Sequence, residues 1–265
     1  MIPRNVWLGC MFIRVVQMEY KSADIEKIRG MLHPREGYFL NRLAEKVVRE
    51  NGDRAVLCEI GSFCGKSTVA IGKALAHCNA GILYAVDWHE GSPSFKGFGT
   101  KDYRSTYTEL LGNLEEAGVK ERVRVVKKRS EAAVHDVPGE LHFLWIDGLH
   151  SYDGVKADFD NYQGKLVPGG FLLFHDACWT EWQEPFRFIK DEVLQNQEYN
   201  LYAMVGNTLI FRKENNTLRH YLRKILCGLC EFVSGDNRPL HKKAVSFILF
   251  RLTTYHTILF HNWRR

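Results

Sequence analysis

Two acid–histidine pairs stand out as chemistry-bearing residues in this chain. Asp147-Gly148-Leu149-His150 and His175-Asp176 each close a short apolar run, Leu141–Asp147 and Phe171–His175, that reads as a buried strand. Ligands of open sheets gather where parallel strands end, at their carboxyl edge. Asp147 and Asp176 end two strands of one such edge and can converge on a shared cation. His150, three residues past Asp147, can lean over the same pocket as a general base. His77, His89 and His135 have no comparable support from their neighbours.

A second constellation lies upstream in Glu59-Ile60-Gly61-Ser62-Phe63-Cys64-Gly65-Lys66-Ser67-Thr68. An apolar run, Ala55–Ile60, ends in an acid and two glycines, and a helical pattern of Val69, Ile71 and Ala74 follows. A strand, a glycine turn and a helix form a nucleotide-binding corner, because glycines admit a ligand close to the backbone and the helix start offers unpaired N–H groups. Gly65-Lys66-Ser67-Thr68 also looks like the end of a phosphate-binding loop, but the glycine required five residues earlier is Ile60. Glu59 would in addition repel a polyphosphate. Asp87 ends the next strand and suits either both hydroxyls of a ribose or a helix cap. Trp88 beside it can stack on a base. Ser130, after the third strand, suits an adenine contact or the N-cap of the helix that follows.

The elements that must position these residues alternate along the chain. Strands are expected at Ala55–Ile60, Ile82–Asp87, Arg122–Lys127, Leu141–Asp147 and Phe171–His175, with helices starting near Gly65, Lys101, Ser130 and Ser151. Continuously apolar strands alternating with helices imply a parallel sheet covered on both faces. Tyr199–Val205 and Thr208–Arg212, joined by Gly206-Asn207, mark an antiparallel hairpin. Val167-Pro168-Gly169-Gly170 reads as the turn entering the fifth strand. Upstream, Ala23–Met31 and Gly37–Glu50 look helical, and Glu90–Thr100 and Trp179–Phe186 look like loops able to act as lids. The expected fold is α/β: a Rossmann-like, doubly wound, mainly parallel seven-stranded sheet with an antiparallel last strand. It divides the chain into a helical segment 1–50, a central domain 51–213 and a basic helical extension 214–265.

The segments E-I-G-S-F-C-G-K-S-T, I-D-G-L-H-S-Y and L-V-P-G-G-F-L-L-F-H-D, in this order, resemble class I S-adenosylmethionine (SAM) methyltransferases. The likeness is to the divalent-metal-dependent group that O-methylates small molecules and sugars, and it runs from about Ile28 to Arg212. The resemblance implies SAM bound by Glu59, Gly61, Ser62, Gly65, Ser67, Asp87, Trp88, Ser130 and Asp147. It implies His150 as the catalytic base and a metal, magnesium or manganese, held by Asp147, His175 and Asp176. His175 departs from the carboxylate usual at that position, and imidazole favours manganese or iron over magnesium.

Composition sets the outer bounds. The chain has 265 residues, 45% apolar and 25% charged, as in an ordinary soluble protein. Its seven cysteines are odd in number and scattered through expected core elements, which suits reduced thiols in the cytoplasm. Cys227 and Cys230 have no second pair with which to hold zinc. Trp7-Leu8-Gly9-Cys10 lies in too short an apolar run, interrupted by Arg14, to be a secretory signal, and no stretch is long enough to span a membrane. From Leu218 onward nine basic residues face two acids, a net of +7, which leaves −2 of the overall +5 for the rest. A nucleic-acid groove across the central domain is therefore not expected. The basic, amphipathic extension suits docking on its own subunit, homo-oligomerisation, or peripheral contact with an anionic membrane. The leading function is methylation of a hydroxyl on a sugar, glycoside or related metabolite; a P-loop phosphotransferase and a non-catalytic SAM-fold binding module are the competing ones.

Overall fold

The computed structural model describes residues 25–91, 104–177 and 183–214. Their elements run α1 (Pro34–Asn51), β1 (Val56–Ile60), α2 (Lys66–Cys78), β2 (Ile82–Val86), α3 (Arg104–Glu116) and β3 (Val123–Val126). Then follow α4 (Ser130–Ala133), β4 (Leu141–Ile146), α5 (Tyr152–Tyr162), β5 (Leu166–Phe174), α6 (Gln183–Phe188), β6 (Tyr199–Val205) and β7 (Thr208–Lys213). Among the described residues the seven strands form one sheet, in the order β3-β2-β1-β4-β5-β7-β6. β1 to β5 are mutually parallel, and β7 runs antiparallel between β5 and β6. The order reverses beside β1, so the crevice outside the carboxyl ends of β1 and β4 is where a ligand fits.

The continuous apolar character of the strands follows from burial on both faces. Leu57, Trp145 and Leu173 point into one cluster with Leu40, Leu43 and Val47 of α1 and Val69 and Ile71 of α2. Their strand neighbours Cys58, Leu144 and Leu172 point into the other, with Val155 and Phe159 of α5 and Phe188 of α6. This alternation is the period-two geometry of a strand with a helix layer on each side.

Four features differ from the sequence expectation. Pro168-Gly169-Gly170 is not a turn before β5 but a bulge within it. Leu141 pairs with Leu166 and Phe143 already with Phe171, so the intervening residues of β5 arch out. Gly169 supplies the positive φ of 85° that the arch requires. The helix expected over Ala23–Met31 is reduced, within the described residues, to Ile25 and Glu26, after which residues 27–30 turn. Part of the second expected loop, Trp179–Phe186, is helical from Gln183. The Gly37–Glu50 helix starts three residues earlier, at Pro34, where proline's missing N–H costs nothing. The first lid candidate beyond Gly91, and the extension 215–265 with its cysteine pair, lie outside the described residues, as does Trp7–Cys10. No helix of the described residues is long and apolar enough to cross a membrane.

Candidate active site

The glycine turn between β1 and α2 is shaped by two close approaches. Gly61 has φ of 92°, and a Cβ on it would lie 2.0 Å from the carbonyl oxygen of Asp147. A side chain cannot enter there, so the turn lies directly against the end of β4. Gly65, φ 89°, forms the N-cap of α2, and its N–H donates to Ser62 O at 2.7 Å. Beneath the turn, Glu59 is fully buried and accepts hydrogen bonds from the hydroxyls of Ser67 and Thr68, the latter at 2.6 Å. Burial pushes the Glu59 carboxyl up to about 8, with the two hydroxyl donors pulling the other way.

This arrangement corrects two expectations. Glu59 and Gly65 do not line the cavity at this edge; they hold the turn and the start of α2 in place. It also tells against a phosphate-binding loop, in which Ser67 or Thr68 would have to offer its hydroxyl to a nucleotide-bound cation.

The cavity has a volume of about 660 Å³, within the usual range for a small-molecule site, and opens along the carboxyl ends of β1, β2, β4 and β5. Gly61, Ser62, Ser67, Asp87, Trp88 and Ser130 line it, together with Asp147, His150, His175 and Asp176. The hydroxyl of Ser62 is 1% exposed and has no hydrogen-bond partner among the described residues. Asp87 caps the glycine turn rather than a helix: its Oδ2 accepts from Phe63 N at 2.8 Å and its Oδ1 from His89 N at 2.7 Å. Each oxygen retains acceptor capacity toward the cavity. Trp88 is 37% exposed, with the Arg129 guanidinium 5.2 Å from its ring centre. Ser130 is not the N-cap of α4, which is Arg129; its hydroxyl donates to Asp158 at 2.5 Å.

Two side chains with no sequence support also belong to the lining. His89 is 2% exposed, its Nδ1 lies 3.0 Å from Thr106 Oγ1, and its Nε2 has no partner among the described residues. Asp158 of α5 sits below Gly148, where a Cβ would meet its Oδ2 at 2.6 Å. That contact explains the glycine in Asp147-Gly148. Burial pushes the Asp158 carboxyl up to about 6. Phe63, His89 and Asp176 all have positive φ, at 45°, 56° and 49°. Backbone this unusual for side-chain-bearing residues collects where a site imposes its geometry.

At the β4–β5 end the acids and imidazoles converge. His175 Nδ1 lies 3.1 Å from Asp147 Oδ1 and 3.5 Å from Asp176 Oδ2. His150 Nε2 lies 3.3 Å from Asp147 Oδ1 and 3.6 Å from Asp176 Oδ2. Ligand atoms of Asp147, His175 and Asp176 all fall within 4.8 Å of one another, close enough for one ion. Removal from water opposes ionisation of Asp147, yet His175 and His150 beside it hold its carboxyl down at about 2. Asp176 is 1% exposed, and burial pushes it up to about 6, with His175 pulling it down. Neither Asp176 oxygen has a hydrogen-bond partner among the described residues. A buried carboxylate left in that state is costly unless a cation or proton joins it. Burial disfavours a charged His175, but Asp147 against its ring raises its pKa well above the usual histidine value.

The edge of His175 away from the cavity faces a residue that sequence reasoning did not connect to the site. Its Nε2 lies 3.5 Å from Oε2 of Glu36, on the first turn of α1. Glu36 is 4% exposed and its carboxyl is held low: burial opposes the charge, and hydrogen bonding from His175 outweighs it together with backbone donors.

A parallel sheet reversing at β1, a glycine turn against β4, an acid at the end of β2 and an antiparallel β7 beside β5 together define the class I methyltransferase fold. Residues 58–177 match the family model described as "Methyltransferase domain". Solved structures with the same fold include the O-methyltransferase NovP, 15% identical with a TM-score of 0.57, over 70% of this chain and 82% of that one. TomG of Streptomyces achromogenes, an O-methyltransferase solved in complex with SAM, is 19% identical with a TM-score of 0.52, over 69% of this chain and 82% of that one. Among curated proteins, uncharacterised protein y4gI of Sinorhizobium fredii is 29% identical over 131 residues, 46% of this chain. The match spans only 13% of that protein's length.

Proposed function

We propose that the chain is a SAM-dependent O-methyltransferase acting on a hydroxyl of a sugar, glycoside or related small molecule, with a divalent cation and a histidine base. The observation that carries this reading is the convergence of Asp147, His150, His175 and Asp176 in the cavity that the glycine turn and Asp87 also line. SAM-bound and S-adenosylhomocysteine-bound neighbours, TomG and PaMTH1 of Podospora anserina, share the fold and support the choice of cofactor.

The residues present fit both groups. Asp87 retains acceptor capacity for a ribose, Trp88 presents an exposed ring, and the buried Ser62 hydroxyl has a hydrogen bond to spare. SAM supplies a methyl group activated on a sulfonium. Asp147, His175 and Asp176 would hold the cation, and the unsatisfied Asp176 carboxylate is what such an ion would complete. A divalent cation there would supply positive charge that acidifies an acceptor hydroxyl, and the imidazole in the set favours manganese at least as much as magnesium. His150 then takes the hydroxyl proton on Nε2, the nitrogen that faces Asp147, and the protonated ring is stabilised by Asp147 and Asp176. Transfer is an in-line displacement, so holding acceptor oxygen and methyl carbon in line is the other half of the rate.

The partners follow as proposals: a small-molecule or glycan acceptor, no nucleic acid, a cytoplasmic setting, and an extension 214–265 that mediates self-association or contact with a membrane surface. The test is transfer of labelled methyl from SAM to a panel of free sugars, glycosides and sugar nucleotides, with manganese or magnesium present. Label in a hydroxyl-bearing acceptor supports the reading. Tight SAM binding with no transfer to any hydroxyl or amine acceptor would favour the binding-module alternative.

A further inference from the structure

Glu36 is fixed by groups from three separate parts of the fold. Its Oε2 accepts from His33 N at 3.0 Å and faces His175 Nε2 at 3.5 Å. Its Oε1 accepts from Asn207 N in the β6–β7 turn at 2.7 Å and from Thr208 Oγ1 at the start of β7 at 3.2 Å. Gly206 in that turn has φ of 59°, and a Cβ on it would strike Glu36 Oε1 at 2.6 Å. The turn is therefore built to receive the carboxylate. A helix cap alone explains the bond to His33, but not the oxygen directed at the hairpin or the approach to a histidine at the end of β5.

The consequence lies in how a neutral imidazole divides its roles. One ring nitrogen carries the proton and donates, and the other keeps its lone pair. Both ring nitrogens of His175 face carboxylates, Nε2 toward Glu36 and Nδ1 toward Asp147, so a cation that takes the Nδ1 lone pair leaves the single proton on Nε2, where Glu36 accepts it. Nδ1 lies 3.1 and 3.5 Å from Asp147 and Asp176, so its lone pair would be directed at the cation that those two acids share. Groups behind a metal-binding histidine commonly set its tautomer and ring orientation in this way.

We propose that Glu36 is a positioning residue for the cation site: it selects the His175 tautomer protonated on Nε2, and so couples the seating of α1 and the β6–β7 turn to cation affinity. This rests on the cation reading proposed above. The experiment is a Mn²⁺ titration of the purified full chain, with free Mn²⁺ read by electron paramagnetic resonance and a thermal melt run on each sample. Glu36→Gln keeps the shape, but its amide N–H would donate to Nε2 and leave the proton on Nδ1. Mn²⁺ affinity should fall about 10- to 100-fold, the usual effect of losing such an outer partner. Thr208→Val, which removes one donor to Glu36 and leaves His175 its partner, should lower the melting temperature and change Mn²⁺ affinity less than about threefold by the same reasoning.

If Glu36→Gln is unfolded at the assay temperature, Glu36→Asp, which withdraws the acceptor by one methylene, replaces it with the same expectation of weaker binding. Wild-type protein that binds Mn²⁺, loses it in Asp147→Asn and keeps full affinity in the Glu36 variant overturns this inference alone. Wild-type protein with no Mn²⁺ binding overturns the cation reading, and this inference with it.

Discussion

Adding one methyl group at Gly61 should both destabilise the fold and open the cofactor end of the cavity. An alanine Cβ there would lie 2.0 Å from Asp147 O, 2.5 Å from its carbonyl carbon and 3.0 Å from Gly148 N, all backbone atoms that cannot swing aside. Ordinary contact begins near 3.4 Å, so the β1–α2 turn and the end of β4 must part by about 1.4 Å. The φ of 92° adds its own penalty, about 1–2 kcal/mol for a residue with a Cβ. Overpacking of this kind costs about 1–3 kcal/mol. Together these give roughly 2–5 kcal/mol, and about 3 kcal/mol corresponds to a fall of roughly 6–12 °C in melting temperature for a protein of this size. Asp147 lines the same cavity as Gly61 and Ser62, so the same displacement should reduce S-adenosylhomocysteine affinity at least tenfold, about 1.4 kcal/mol. The assay pairs a thermal melt with calorimetric titration of S-adenosylhomocysteine. Gly112→Ala is the control, since nothing lies within 4 Å of its added Cβ in α3. Glycine-to-alanine in an exposed helix should be neutral or stabilise by about 0.5–1 kcal/mol. A Gly61→Ala protein that melts within about 2 °C of wild type and binds the ligand equally well would refute the close-approach argument.

Asp87→Ala should weaken S-adenosylhomocysteine binding by on the order of 2 kcal/mol, about thirtyfold, and more if losing the caps on Phe63 N and His89 N loosens the turn; unchanged affinity in calorimetry would remove Asp87 from the cofactor site. His150→Ala and His150→Gln should each lower turnover by roughly 10²–10⁴ with the ligand affinity kept, and near wild-type turnover at neutral pH would make His150 positional. Chelator-treated protein should lose activity and regain it with manganese at least as well as with magnesium; full activity in excess chelator would reduce Asp147 and Asp176 to structural or acceptor-binding roles. Glu59 has a carboxyl raised from about 4.5 to about 8 in the fold, so the folded state holds the proton longer than the unfolded chain. Its contribution is complete below about pH 4.5 and is lost as pH rises toward 8. Glu59→Gln, neutral at every pH, should flatten that decline in urea denaturation measured across this range, and an unchanged slope would contradict the assignment.

Much of the fold was legible because each strand is an apolar run with a marked end. The strand limits at Ile82, Leu141, Tyr199 and Thr208 match the sequence pattern, and the hairpin followed from Gly206-Asn207. The acids and histidines at the β4 and β5 ends were legible for the same reason, since a parallel sheet delivers its strand ends to one edge. What escaped depends on contacts between distant segments. The Glu36 carboxylate reaches the β6–β7 turn across a sequence separation of 171, and nothing near His33-Pro34-Arg35-Glu36 signals more than a helix cap. His89 joins the lining through a left-handed backbone and a Thr106 contact, neither visible as a period or motif. The Pro168-Gly169-Gly170 bulge was read as a turn because local residue chemistry is alike in both, and only the pairing register separates them. The resemblance to class I methyltransferases puts Glu59 on the ligand; the hydroxyls of Ser67 and Thr68 turn it inward instead.

In the proposed function the cavity at the β1–β4 edge receives SAM rather than a nucleoside polyphosphate. Calorimetric titration of the full chain with S-adenosylhomocysteine, and separately with magnesium–ATP, tests it most directly. S-adenosylhomocysteine should bind at one site per chain in the micromolar range, about −8 kcal/mol, more weakly in Gly61→Ala, with no comparable binding of ATP. Saturable ATP binding by a chain that does not bind S-adenosylhomocysteine would contradict it.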